Sequence, residues 1–307
     1  MSVGTSDVRA GINGGGATIE VRVGATIRIA FPSPGRALLK MIPAASDSQA
    51  IDVEHIVIAG AAHRVELLGE DRVVVIDADA PRDVTVTYGG VTRVRRAPAL
   101  PRIVPDAHYT HLMHGRWLIP SRYCPSDRLA PTAEALFPDR LDPRLLEHCR
   151  EWVLGNVTYV PGSSDGMTSA DETLLRREGI CRDFAHLLIA LLRGLGIPSR
   201  FVAAYGPGVD PPDFHAVVEA HDGQAWQLLD PTGMTTPAEL VVIARGRDAA
   251  DVPWCQIQGG PADVAPPQVS AFIEPDRLRA ARQKPAFADA TKCSVSESAR
   301  PENSTSS

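Results

Sequence analysis

The chain has 307 residues, 44 % of them hydrophobic and 22 % charged, with a formal net charge of −6. That balance is ordinary for a globular protein with a packed core, and it lacks the basic domain or stripe of a nucleic-acid binder, so no nucleic-acid partner is expected. No run of eighteen apolar residues occurs, so no membrane partner is expected either. Met1–Gly16, rich in Gly and Ser and without a basic-then-apolar leader, points by default to a cytoplasmic location.

Residues 1–16 read as a flexible N-terminus, and residues 17–97 as a β-rich domain. Thr18–Val23 and Thr26–Ile29 alternate with period two, and the pattern returns at Ile56–Ile58, Val73–Ile76 and Val84–Tyr88. Turn residues such as Pro32–Gly35 and Gly89–Gly90 punctuate these runs, which suits a small antiparallel sandwich or barrel. His55 and His63 stand alone among strand residues and read as structural. Residues 98–140 form a proline-rich connector, irregular but ordered. It carries His108, His111 and His114 at a three-residue spacing. With poor helix periodicity and no acidic or cysteine partner nearby, they are not expected to hold a metal.

Residues 141–263 mix helices and strands and form the expected catalytic core. Asp142 and Pro143 suit a helix start, followed by an apolar stripe at Leu145, Leu146, Cys149, Val153 and Leu154. A turn-rich segment, Pro161–Met167, precedes a short helix opened by Ser169–Glu172. After Gly179 comes the best helix in the chain, Cys181–Arg193, made of strong formers and stopped by Gly194, Gly196 and Pro198. Three strand candidates follow at Arg200–Tyr205, His215–Ala220 and Ala225–Leu229. Residues 264–307 read as a C-terminal extension whose last stretch, Ser294–Ser307, is too polar to fold.

The five cysteines, Cys124, Cys149, Cys181, Cys255 and Cys293, form no CxxC pair and no zinc pattern. Cys181 stands apart because it opens a long helix. The free N–H groups and the positive end of the helix dipole would favour a thiolate there and could also hold an oxyanion. A thiolate nucleophile needs a base, and the base an orienting acceptor. If the last two strands pair as a hairpin about His221–Gln224, then His215 and Asp230 each lie seven positions outside Asp222–Gly223. They would then face each other at about 5 Å.

The segments Gly179–Ile180–Cys181–Arg182–Asp183–Phe184–Ala185–His186, Gly194–Leu195–Gly196–Ile197–Pro198–Ser199–Arg200, Phe214–His215–Ala216 and Leu229–Asp230–Pro231–Thr232 resemble, in order, the motifs of the transglutaminase-like superfamily. Tyr123–Asp127 and Gly246–Pro253 look like the flanks of its bacterial members, cysteine peptidases of transglutaminase-like type. The resemblance implies an α+β, papain-like core, with a Cys-bearing helix packed on an antiparallel sheet that bears His and Asp, behind a β-sandwich-like N-terminal domain. It also implies that Cys181, His215 and Asp230 are the catalytic residues, forming a thioester on a peptide or protein amide. No cofactor and no metal are implied.

Hydrolysis (protease or amidase) is favoured over transglutamination. A binding or scaffold protein that has lost turnover is the alternative, suggested by Val217 where the family usually has Trp. A coenzyme A-dependent acyltransferase lacks a phosphate-cradling loop. Trp152 and Tyr159 are candidates for the oxyanion-stabilising side chain, though each also suits a core aromatic. Asp183 suits a helix cap or a partner for Arg200, and His186 a core position. Asp248 and Asp251 suit a loop brace; their spacing is not that of a calcium loop.

Overall fold

The computed structural model describes residues 18–69, 71–95 and 114–273. The predicted flexible N-terminus, the first part of the connector with His108 and His111, Cys293 and the polar tail lie outside those residues. The described part is α+β. Its β-rich half holds β1 (Thr18–Phe31), β2 (Gly35–Leu39), β3 (Gln49–Ala59), β4 (Ala62–Leu68), β5 (Asp71–Ala78) and β6 (Arg82–Arg95). The period-two alternation seen in the sequence is the alternation of buried and half-exposed residues along β1, where Val21, Val23, Ala25, Ile27 and Ile29 all point inward.

A short 3-10 turn at Gly115–Trp117 leads into α1 (Ser126–Leu136), α2 (Leu145–Asn156), β7 (Thr158–Tyr159), α3 (Ala170–Arg176), β8 (Glu178–Gly179) and α4 (Cys181–Gly194). Then come β9 (Ser199–Tyr205), β10 (Phe214–His221), β11 (Trp226–Leu229) and β12 (Val241–Gly246), an antiparallel sheet in the order β11-β10-β9-β12. The chain finally returns to the β-rich half. Of β13 (Cys255–Gln258), β14 (Asp263–Val264) and β15 (Gln268–Ile273), the first pairs with β2 and the other two with β1.

Helix α1 was not legible in the sequence, because Pro131 within it reads as a breaker. Pro131 forfeits one backbone hydrogen bond, but Leu129 and Ala133 are buried where α1 packs on α4, and that packing outweighs the local penalty. Helix α2 starts at Leu145, two residues after Pro143. Asp142 instead builds the preceding turn, its Oδ1 accepting the Arg144 N–H at 2.8 Å.

Helix α4 is the centre of this half. Every residue from Asp183 to Arg193 is buried, against α1, α2, α3, β9 and β10. Arg193 is the one cation in that buried stretch, and burial lowers its pKa. Its guanidinium donates to the carbonyls of Ser199, Ile119 and Arg247 and to Ser121 Oγ at 2.6–3.2 Å, fixing the C-terminal end of the helix. A buried cation so well paired keeps its charge, and the helix acquires a fixed height in the fold.

The β10–β11 hairpin has a register two residues from the predicted one. Its pairs run from Val218↔Leu229 to His221↔Trp226, so continuing them puts Asp230 across from Val217, not His215. Asp222 is the reason. Its Oδ1 accepts the N–H groups of Gln224 and Ala225, both at 2.8 Å, and Gly223 takes a φ of +105° that suits only glycine, centring the turn one residue later. A shift of two keeps every side chain on its face, so His215 and Asp230 become diagonal neighbours, still within reach of one another.

The two halves meet at the free edge of β12. Gln49, almost wholly buried, donates Nε2 to the carbonyls of Ala44 and Val242 at 2.5 and 2.7 Å, while its Oε1 accepts the Val242 N–H at 2.9 Å. Tyr205 Oη donates to the Met41 carbonyl at 2.6 Å. Gln49→Leu leaves the Val242 N–H buried without an acceptor, so urea denaturation should register a loss of roughly 1–3 kcal/mol. An unchanged midpoint would mean that this bridge contributes nothing to stability.

Candidate active site

Cys181 is the first residue of α4 and is half-exposed. The local sequence forces this position. Asp183 Oδ2 accepts the Ile180 N–H at 2.9 Å and closes the helix start, and Ser164 and Arg182 bond the same carboxylate. Gly179 is required just before it, since a Cβ there would lie 2.7 Å from the Asp183 Cβ. Asp183 thus caps the helix and pairs with Arg182; Arg200 pairs instead with Glu219 at 2.6 Å.

β7 and β8 form a two-residue parallel pair, Tyr159↔Gly179, with the Val160 N–H bonded to the Gly179 carbonyl at 2.9 Å. That pairing brings Tyr159 beside Cys181. Burial and the neighbouring Cys181 push the Tyr159 phenol up to about 12, against a hydrogen bond from the Cys181 backbone amide. Trp152 lies elsewhere, edge-on to Phe137 at 6.4 Å and under the Arg177 guanidinium.

His215 sits near the start of β10 and is buried. Its Nε2 lies 3.1 Å from Asp230 Oδ2. Asp230, just past β11 and equally buried, is held from both sides. Oδ1 accepts from Thr232 N and Oγ1 at 2.9 and 2.7 Å, and Oδ2 accepts from Thr235 N and Oγ1, both at 2.8 Å. Burial by itself would raise this carboxyl. The His215 hydrogen bond and charge, followed by the two threonines, hold it far below the usual carboxylate range. For His215, burial opposes the cation, but the Asp230 hydrogen bond and the neighbouring Cys181 prevail and lift it to about 9. The Nδ1 atom is buried and has no hydrogen bond of good geometry among the described residues.

Thr235 was missed in the sequence, although a second threonine pair soon after Asp-Pro-Thr was a signal available there. Val217 does not enter the site; it is fully buried with Val202, Ala204, Leu240 and Val242 in a small apolar cluster of its own. His186 is buried away from Cys181, stacked on Tyr123, with Nε2 accepting the Ala249 N–H at 3.2 Å. His114 packs against His221 and Trp226. Asp248 accepts the N–H groups of Tyr123 and Ala250, and Asp251 is held by Arg247, so both brace one loop. Burial pushes the Cys124 and Cys255 thiols up to about 12 and 11, which suits inert thiols.

Residues 142–231 match the family model of the transglutaminase-like superfamily. That segment belongs to the superfamily. Over 84 % of its length it resembles the crystal structure of a candidate cysteine protease from Cytophaga hutchinsonii, of which it covers 91 %, at 28 % identity and a TM-score of 0.73. An uncharacterized protein of Mycobacterium leprae (strain TN) is 28 % identical over 59 % of this chain and 70 % of its own length. One from Mycobacterium bovis is 32 % identical over 39 % of this chain, a match that spans only 43 % of that relative. The superfamily includes proteases and transglutaminases and is capable of thiol-based acyl transfer.

The expected cytoplasmic location is corrected. Similar solved structures include the periplasmic domain of TgpA from Pseudomonas aeruginosa, at 19 % identity over 71 % of this chain and 91 % of that one, with a TM-score of 0.37. The expectation rested only on the composition of the first sixteen residues, and a core of this type carries no address of its own. No helix among the described residues is long and apolar enough to cross a membrane.

Because the folded-state value of His215 lies above its unfolded value near 6.5, the stability linked to its proton is complete below about pH 6.5. It is lost as the pH rises through about 9. Imidazole NMR should give a midpoint near 9 for His215, lowered by about a unit or more in Asp230→Asn. A wild-type midpoint at or below 6.5 would contradict the electrostatics described above.

Proposed function

We propose that the chain is a cysteine hydrolase that cleaves an amide or peptide bond through a thioester on Cys181. The observation that carries this reading is the buried His215–Asp230 pair, held protonated to about pH 9 beside a half-exposed cysteine at a helix start. In this reading the Cys181 proton rests on His215, and the sulfur attacks the carbonyl carbon. The oxyanion forms between the Tyr159 hydroxyl and the Cys181 N–H, in the field of the α4 N-terminus. Collapse breaks the C–N bond, and the leaving amine takes the proton from His215. Water then attacks the thioester, giving one proton to His215, and the C–S bond breaks to release a carboxylic acid and the Cys181 thiolate, which restores the resting pair. Asp230 keeps the ring in the tautomer with Nε2–H toward its own Oδ2, so that Nδ1 serves the sulfur. The likeness to a candidate cysteine protease over most of the chain supports water over an amine as the acceptor.

Iodoacetamide at pH 6 should alkylate Cys181 ahead of the other cysteines, and Cys181→Ala should abolish the fast phase. Equal labelling of both proteins would remove the case for an activated thiol. On an amide substrate, Tyr159→Phe should lower kcat by about 10²–10³-fold while leaving alkylation of Cys181 nearly unchanged. A KM effect alone would place Tyr159 in binding instead. Turnover should fall as the pH rises through about 9, where His215 loses the proton it gives to the leaving amine.

A further inference from the structure

Asp213 lies two residues before His215, immediately ahead of β10. With the period-two alternation of extended chain, it leans to the same side of the strand as His215. Its Oδ1 is fixed by the Phe214 N–H at 2.7 Å, and this is its single hydrogen bond among the described residues. The residue is exposed to solvent, yet it sits low enough in the surface for burial to raise its carboxyl above the ordinary value. Its charge is felt by both His215 and Tyr159.

No lysine or arginine among the described residues pairs with it. Three arginines of this half are committed elsewhere: Arg182 to Asp183 and the Asp165 carbonyl, Arg150 to Glu147, and Arg177 to the face of Trp152. Asp183 and Asp230, the other two carboxylates at the site, are wholly enclosed by their own donors. Asp213, two residues from His215, is therefore the carboxylate of the three that is open to solvent and has no lysine or arginine partner among the described residues. An anion placed so can take a further cation from a substrate.

We propose that Asp213 is a specificity-determining residue, selecting substrates that carry an ammonium or guanidinium group, as on a lysine or arginine side chain, beside the bond that Cys181 attacks. The inference rests on Cys181 being the nucleophile of the proposed reaction. It assigns Asp213 no part in bond making, only in choosing what lies over the thiol.

Small thiol reagents test the local field without a known substrate. The cationic 2-aminoethyl methanethiosulfonate and the neutral methyl methanethiosulfonate both place a mixed disulfide on a thiolate and release methanesulfinate. Rates at Cys181, followed by peptide mapping and normalised to N-acetylcysteine, should favour the cation by about three- to tenfold at low salt. Asp213→Asn keeps the acceptor for the Phe214 N–H and should bring the ratio close to one, and the anionic 2-sulfonatoethyl reagent should gain in that variant. A merely structural Asp213 would change all three rates together and leave the ratios where they were. Ordinary labelling by the neutral reagent without a cation preference overturns the role of Asp213 alone. Failure of the neutral reagent to label Cys181 ahead of the other cysteines overturns the nucleophile reading, and this inference with it.

Discussion

The half of the molecule that carries the site is organised around a helix that has no solvent face. From Asp183 to Arg193, α4 is enclosed by three helices and two strands, and the one cation of that stretch, Arg193, is spent on backbone carbonyls at the far end. A helix held this way cannot slide or roll without breaking its packing on every side. Only its first turn meets solvent, and the first residue of that turn is Cys181. The thiol is thus positioned by a rigid element and not by a loop, a condition for holding reacting groups within a fraction of an ångström.

The carboxylate partner is positioned by the opposite means. Asp230 lies outside regular structure, past the end of β11, and its geometry comes from hydrogen bonds: four donors from Thr232 and Thr235 in addition to His215. Leaving such a buried anion unpaired would cost several kcal/mol, so the turn from Pro231 to Thr235 is obliged to wrap it. The same donors keep Asp230 ionised, and its charge keeps the proton on His215. Capping by Asp183 fixes the start of α4, and wrapping by the threonines fixes the carboxylate that meets the imidazole.

The β-rich half contributes at a distance. Gln49 and Ala44 occupy the backbone groups on the outer edge of β12, and Tyr205 anchors β9 to Met41. Without them β12 would be an open edge strand beside the sheet that carries His215, with unpaired polar groups inviting another chain. The return of β13–β15 to the strands β1 and β2 closes the same half from the other end of the sequence.

Much of this was written locally. The helix start at Cys181, the strand with His215, the cap by Ser169 and Glu172, and the alternating β1 all follow from spacing of apolar residues and from capping chemistry, which act within a few residues. The sequence by itself therefore determined the elements and the face on which each chemical group would lie. It did not determine the register of the β10–β11 hairpin, because Asp222 chose the turn centre through its side chain, and the pairing of His215 with Asp230 survived only because the shift was an even number of residues. Nor did it reveal α1, whose Pro131 is locally unfavourable and is tolerated for the sake of packing on α4. That Tyr159 and not Trp152 lies beside Cys181, and that the Asp213 carboxylate stays exposed, were likewise decided in three dimensions. These features depend on contacts between residues distant in the chain, where burial and the count of available donors outweigh any local preference.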